Sequence, residues 1–238
     1  MRRTMAKASL HTALNLLAFA LIGTAILAFT YTQTHDRIAQ SIEAEKLKLI
    51  SQIVPQALFD NDIIKDTVEI APDALLGNED PTTAYRARLQ NQPSVLVMEA
   101  IAPDGYSGKI GLLIAIRANN ELAGVRVVSH KETPGLGDYI DIGRSDWIKG
   151  FDGKSLASPL TNLPPQAGEG ANESLRGHPL NDADWKVKKD GGQFDYMAGA
   201  TITPRAVVKA THKALQYFAQ HRDTLFAQSA TPSVKEQK

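Results

Sequence analysis

The chain has 238 residues, 26 Lys+Arg against 26 Asp+Glu, and no cysteine. That length suits one membrane-proximal segment plus a single globular domain. Neutral charge argues against an electrostatic nucleic-acid binder, and zero cysteine excludes protein-ligated iron–sulfur clusters, Cys-type zinc sites, thioether-attached haem, disulfides and thiol nucleophiles.

From Ala8 to Thr34 no residue carries a formal charge, and Leu10 to Tyr31 is mostly Leu, Ala, Ile and Phe. At about 1.5 Å per residue, some 20 such residues cross the roughly 30 Å hydrocarbon core. The stretch reads as one transmembrane helix centred near Ala20, within a first segment 1–34. A cleavable signal peptide has an apolar run of about 7–15 residues and a small-x-small cleavage site; this run is longer and lacks the site. Arg2, Arg3 and Lys7 precede it with no acid among them, which keeps the N-terminus cytoplasmic and sends the following domain across. In a Gram-negative cell that domain is periplasmic and its anchor lies in inner-membrane lipid.

Residues 35–60 read as an amphipathic connecting helix: Ile38, Ile42, Leu49 and Ile53 form one apolar row and Leu47, Ile50 and Val54 a second. It stops before Pro55. Its apolar face suits either the domain or a partner chain. A globular domain is expected over 61–227. Its first half is strand-rich, with runs at Thr67–Ile70, Tyr85–Leu89, Ser94–Ile101, Ile110–Arg117 and Leu122–Ser129, separated by turn signals. The last two runs read as an antiparallel hairpin across Asn119-Asn120. A loop at Glu132–Asp138, a short helix near Gly143–Gly150 and a Pro/Gly/Asn-rich stretch over 164–184 follow. A strand pair, Trp185–Lys188 and Gln193–Met197, then flanks Asp190-Gly191-Gly192. Thr203-Pro204 opens the clearest helix, with Thr203 as N-cap and Pro204 as first residue. Residues 228–238 form a polar tail. The expected class is α+β: one transmembrane helix, then a mainly antiparallel sheet with flanking helices.

The segment Asp195-Tyr-Met-Ala-Gly-Ala-Thr201 sets a glycine turn and a hydroxyl directly ahead of a helix start. First-turn N–H groups there can hold a phosphate. Gly199 and Ala200 leave the approach clear of side chains, and Thr201 places a hydroxyl where the phosphate would lie. Spacing alone also fits a plain glycine turn before a capped helix.

The residues themselves say more. Asp195-x-x-Ala198-Gly199-Ala200-Thr201 resembles the flavinylation motif of the periplasmic FMN-binding domains of membrane redox complexes. His130-Lys-Glu132-Thr133-Pro134-Gly135-Leu136-Gly137 is similar to that family's flavin-lining loop, and Gly105-Tyr106-Ser107-Gly108 to its glycine–aromatic turn, with Trp147, Lys149 and Phe151 following. The likeness spans about residues 83–218 and runs to the G subunits of Rnf/Rsx electron-transport complexes, and more distantly to the C subunit of the sodium-pumping NADH:quinone reductase. It implies FMN joined covalently, as a phosphoester, to Thr201 by a flavin transferase, with Asp195 recognised by that enzyme. It further implies a pocket drawn from Tyr106, Glu132, Thr133, Leu136, Gly137, Trp147, Gly199 and Ala200. The partners implied are the other subunits of the complex; the role is electron relay in redox-coupled ion transport between ferredoxin and NAD, or in keeping a redox regulator reduced. A membrane-anchored scaffold of the same fold without redox activity is the competing class.

No residue stands out as catalytic. The six histidines show no pairing with acids at metal-ligand spacing. His212 and His221 read as helix-surface residues, His130 as a neighbour of the flavin, and Asp60, Asp62 and Asp66 as a solvated turn. Ser107 lacks the G-x-S-x-G surround of a hydrolase.

Overall fold

A computed structural model describes residues 2–157 and 179–229. Most of the stretch 164–184, His178 and tail residues 230–238 lie outside them. The chain divides into two units, residues 1–47 and 48–238.

A single helix, α1 (Arg2–Ile53), begins the chain. Within the first unit Lys7–His35 has a mean hydropathy of 2.1 over its most apolar window, and among the described residues it is the one helix long and apolar enough to cross a membrane. The connecting helix is therefore no separate element, since no helix breaker interrupts the chain before Pro55. Of its two apolar rows, Ile38 is exposed, while Leu49, Ile50, Ile53 and Val54 are buried in the second unit.

The second unit is α+β. Strands β1 (Thr67–Ile70), β2 (Thr82–Leu89), β3 (Gln92–Ala102), β4 (Ile110–Arg117) and β5 (Leu122–Ser129) form an antiparallel meander in chain order. Two of its hairpin turns rest on non-glycine residues with positive φ: Gln90 and Asn91 join β2 to β3, and Asn120 lies between β4 and β5. β3 starts before Pro93, accommodated where the register with β2 shifts at Ala87/Arg88.

The central strands read as nearly continuous apolar runs because both faces are covered. On one face Leu96, Met98, Leu112 and Ile114 pack in the main core with α2 (Ile202–Ala227), which lies against β3 and β4. On the other, Gly124 lets Ile53 approach; a Cβ there would stand 2.7 Å from Ile53 Cγ2. Arg126 is buried on that side and donates from Nε to Gln52 Oε1 at 3.2 Å.

Among the described residues between β5 and α2 the chain forms short 3₁₀ turns and irregular loops, with a two-stranded parallel pair, β6 (Ser155–Leu156) and β7 (Pro179–Leu180). The short helix expected over 143–150 is a 3₁₀ segment, Asp146–Phe151, opened by the Ser145 hydroxyl accepting from Trp147 N–H. The expected strand pair at 185–197 is not a pair of strands. Only Val187 and Phe194 bridge; a 3₁₀ turn at Asp182–Asp184 precedes Val187 and another at Lys188–Asp190 lies between the two. Apolar alternation here serves a hub in which Phe194 stacks on Phe151 and lies tilted against Trp185, and so mimics a strand signal.

Candidate functional site at the start of the last helix

The chain enters α2 through a tight turn in which Ala200 N–H donates to Met197 O at 3.1 Å. Gly199 takes φ +88 with open space where a Cβ would stand, a conformation that glycine adopts at no steric cost. Thr201 sits at the cap position with helical dihedrals, φ −79 and ψ −26, and makes no side-chain capping bond. Its hydroxyl is left unused by the helix it precedes. Arg205 N–H closes onto Thr201 O at 3.3 Å. The Ile202 and Thr203 amides, in the first turn, have no intrahelical acceptor, and Pro204 has no N–H to offer. A free hydroxyl therefore stands beside two amides at the positive end of a 26-residue helix.

Thr203 is not the N-cap. It is the second residue of α2, and its hydroxyl donates to Glu132 Oε2 at 2.5 Å. Glu132 is 4% exposed. Its other oxygen, Oε1, accepts from Ser107 N–H at 3.0 Å, and its own N–H donates to His130 Nδ1 at 3.1 Å. One buried carboxylate thus joins the three stretches singled out from sequence: the glycine–aromatic turn, the loop after β5 and the threonine motif.

Other expected pocket residues fall into two groups. Thr133, Leu136, Gly199 and Tyr106 are exposed. Ala200 instead faces inward as part of the main core. Gly135 has φ +78, as a tight loop requires; Gly137 is needed for space, since a Cβ would lie 2.7 Å from Glu132 Oε2 and 2.9 Å from Thr203 Oγ1.

Trp147 is half-buried and holds the motif from below, its indole N–H donating to Asp195 O at 2.8 Å. Tyr139 is a second support: its hydroxyl accepts from Met197 N–H at 3.2 Å, and its ring meets Trp147 edge-on. Burial pushes the Tyr139 phenol above its ordinary value, with the Met197 amide opposing. The Asp195 carboxylate is exposed and paired with Lys188 Nζ at 2.5 Å, while Arg205 grips Asp190 through two bonds and holds that carboxyl below its usual range. His212 is half-buried rather than fully on the helix surface. It stacks on Trp185 with ring centroids 5.3 Å apart, and burial lowers its pKa against the opposing pull of Asp182. Among the described residues no cluster of acids and histidines could hold a metal.

These features fit FMN. The unused Thr201 hydroxyl and first-turn amides suit a phosphate, and Leu136, Met197 and Ile202, which are 46%, 39% and 46% exposed, offer apolar surface to a planar ring. Sequence reading missed Tyr139, the Ser107 amide and the Thr203 hydroxyl as parts of the site. Their partners lie 58, 25 and 71 residues away, and no local spacing signals such pairings.

Comparison with known proteins identifies the family of the domain and of the N-terminal helix. A family model described as an FMN-binding domain matches residues 105–216, and one described as the RnfG N-terminal region matches residues 4–53. The chain is 44% identical over 226 residues to the G subunit of the ion-translocating oxidoreductase complex of Pseudomonas aeruginosa, covering 95% of this chain and 94% of that one. The proteins of the same name from Vibrio cholerae and Shewanella oneidensis are each 40% identical, over 213 residues (90% of this chain, 91% of the relative) and 210 residues (88% and 89%) respectively.

Proposed function

We propose a function from one premise: the chain belongs to the family of G subunits of ion-translocating oxidoreductase complexes, and its globular part is an FMN-binding domain. It is the electron-transfer subunit of an Rnf-type membrane complex and carries FMN joined through its phosphate to Thr201. The observation that carries this reading is the Thr201 hydroxyl, uncapped at the N-terminus of α2 behind a glycine turn. FMN supplies reversible electron uptake and release, and the protein supplies position and environment.

Attachment requires a flavin transferase with FAD as donor. Thr201 Oγ1 forms a bond to the phosphorus of the FMN half while the pyrophosphate bond to AMP breaks. The hydroxyl proton passes to a base on the transferase and AMP leaves, with no change in oxidation state. The motif can be reached by a second protein because Asp195 through Gly199 is exposed apart from its anchors to Trp147 and Tyr139. An ester bond also retains the cofactor in a compartment open to loss. Positive residues before the span orient the domain to the periplasmic side of the inner membrane. There it relays electrons among the other subunits of the complex, between ferredoxin and NAD or toward a redox regulator.

The test is direct. Protein made with the transferase is denatured, run on a gel and viewed under ultraviolet light, and its peptides are weighed. Fluorescence on the wild-type band, FMN mass on the Thr201 peptide and a dark Thr201→Ala band are expected. A dark wild-type band, or a fluorescent Thr201→Ala band, overturns the reading.

A further inference from the structure

The resemblance assigns Glu132 to the flavin pocket, yet both its carboxylate oxygens are already occupied: Oε1 by Ser107 N–H and Oε2 by the Thr203 hydroxyl. We propose that Glu132 is a positioning residue: its buried carboxylate locks the first turn of α2 to the two loops beside it, and so fixes the direction in which Thr201 presents its hydroxyl to the transferase. The inference rests on Thr201 being the attachment residue.

The geometry leaves little else for the side chain to do. A buried carboxylate must have its lone pairs met, and charge-assisted bonds are the strong ones. Thr203 stands two residues beyond Thr201, inside the first turn of the helix. With its hydroxyl pinned, that turn cannot rotate about the helix axis without breaking the bond to Glu132. Gly137 closes the seam, because any Cβ there would press on both partners at once. His130 fixes the Glu132 backbone from the other side through its Nδ1. Misplacing a nucleophile by about 1 Å costs on the order of 100-fold in rate. The lock therefore acts on the rate of attachment more than on the encounter with the transferase, whose handle is the exposed Asp195 motif.

The experiment uses the full chain purified without flavin, the transferase and FAD, with attachment followed by in-gel fluorescence at a temperature where circular dichroism shows every variant folded. Thr203→Val removes the hydroxyl at constant shape, Thr203→Ser keeps it, and Glu132→Gln presents an amide that cannot accept at both oxygen positions. Glu132→Gln and Thr203→Val are expected to lower kcat for attachment about 10- to 100-fold with KM for the domain unchanged. Thr203→Ser is expected to restore the wild-type rate. Wild-type kcat in both Glu132→Gln and Thr203→Val overturns the inference, as does a loss that appears in KM alone or is shared by Thr203→Ser. A wild-type chain that accepts no flavin removes the Thr201 reading and this inference with it.

Discussion

Replacing Asp66 with asparagine tests how the far end of α2 is held. The Asp66 side chain is 18% exposed; Oδ1 accepts from Arg86 Nε at 2.7 Å and Nη2 at 2.5 Å, and Oδ2 from Arg88 Nε at 2.8 Å. Arg86 is 1% exposed and sends Nη1 to Leu225 O at 3.1 Å and Gln228 O at 2.6 Å, while Arg88 Nη2 reaches Phe226 O at 2.8 Å. Two guanidinium groups thus cap the carbonyl end of α2, where the dipole is negative, and Asp66 supplies their countercharge. Asp66→Asn leaves Arg86 buried and uncompensated, a loss of about 3–5 kcal/mol for broken buried pairs. For a domain of this size that is a fall in Tm of roughly 6–20 °C by circular dichroism. Asp62→Asn, at a position 53% exposed and 3.5 Å from Lys65, serves as control and moves stability by at most about 0.5 kcal/mol. Hydrogen exchange should quicken at the end of α2. The double variant Asp66→Asn with Arg86→Met should recover part of the loss, since the fully buried charge of Arg86 is then gone and only the partly exposed Arg88 lacks its Asp66 partner. A drop below about 1 kcal/mol in Asp66→Asn, or a double variant worse than the sum of its singles, refutes the reasoning.

Two further outcomes are expected. Burial holds the folded pKa of His212 below its ordinary value, against the opposing pull of Asp182. The unfolded chain then takes up a proton that the folded chain refuses, so this contribution is present above the unfolded pKa and is lost as pH falls through the folded one. Wild-type Tm should fall more steeply than that of His212→Gln as pH is lowered from about 7 to 5, below the ordinary histidine value of about 6.5, and parallel slopes would contradict this. Gly192→Ala would place a Cβ 2.1 Å from Lys186 O; a cost of about 1–3 kcal/mol from forced separation is expected in urea unfolding, and a variant as stable as wild type would show that the segment can shift freely.

The strands and the last helix were legible because each carries its own signal. Ile110–Arg117 and Leu122–Ser129 appear in sequence with the bounds they have in the structure, since a polar turn with an αL asparagine separates two apolar runs. The glycine turn and the helix start behind it were legible for a similar reason, since both are local. What was hidden is long-range. Nothing around Asp66 announces that Arg86 lies across a strand pairing, so the residue reads as a solvated turn. Thr203 looks like a cap because Thr-Pro is a capping pattern, and only the fold brings Glu132 within reach of its hydroxyl. His212 reads as surface because its helix spacing cannot reveal Trp185 lying flat against it. In each case an acid, a hydroxyl or a ring finds its partner through tertiary structure, where periodicity is silent.

The meander closes each strand against its immediate neighbour in the chain, so the sheet can assemble from local hairpins as it emerges. The helix that covers its inner face arrives last, with Thr201 at its leading end. Until residues 202–227 have docked, the hydroxyl has no helix behind it and the apolar side of the sheet stands open to water. Under the proposed attachment to Thr201, a chain truncated before its closing helix would keep the Asp195 motif but lose the helix start behind the hydroxyl, and would offer proteases an exposed sheet.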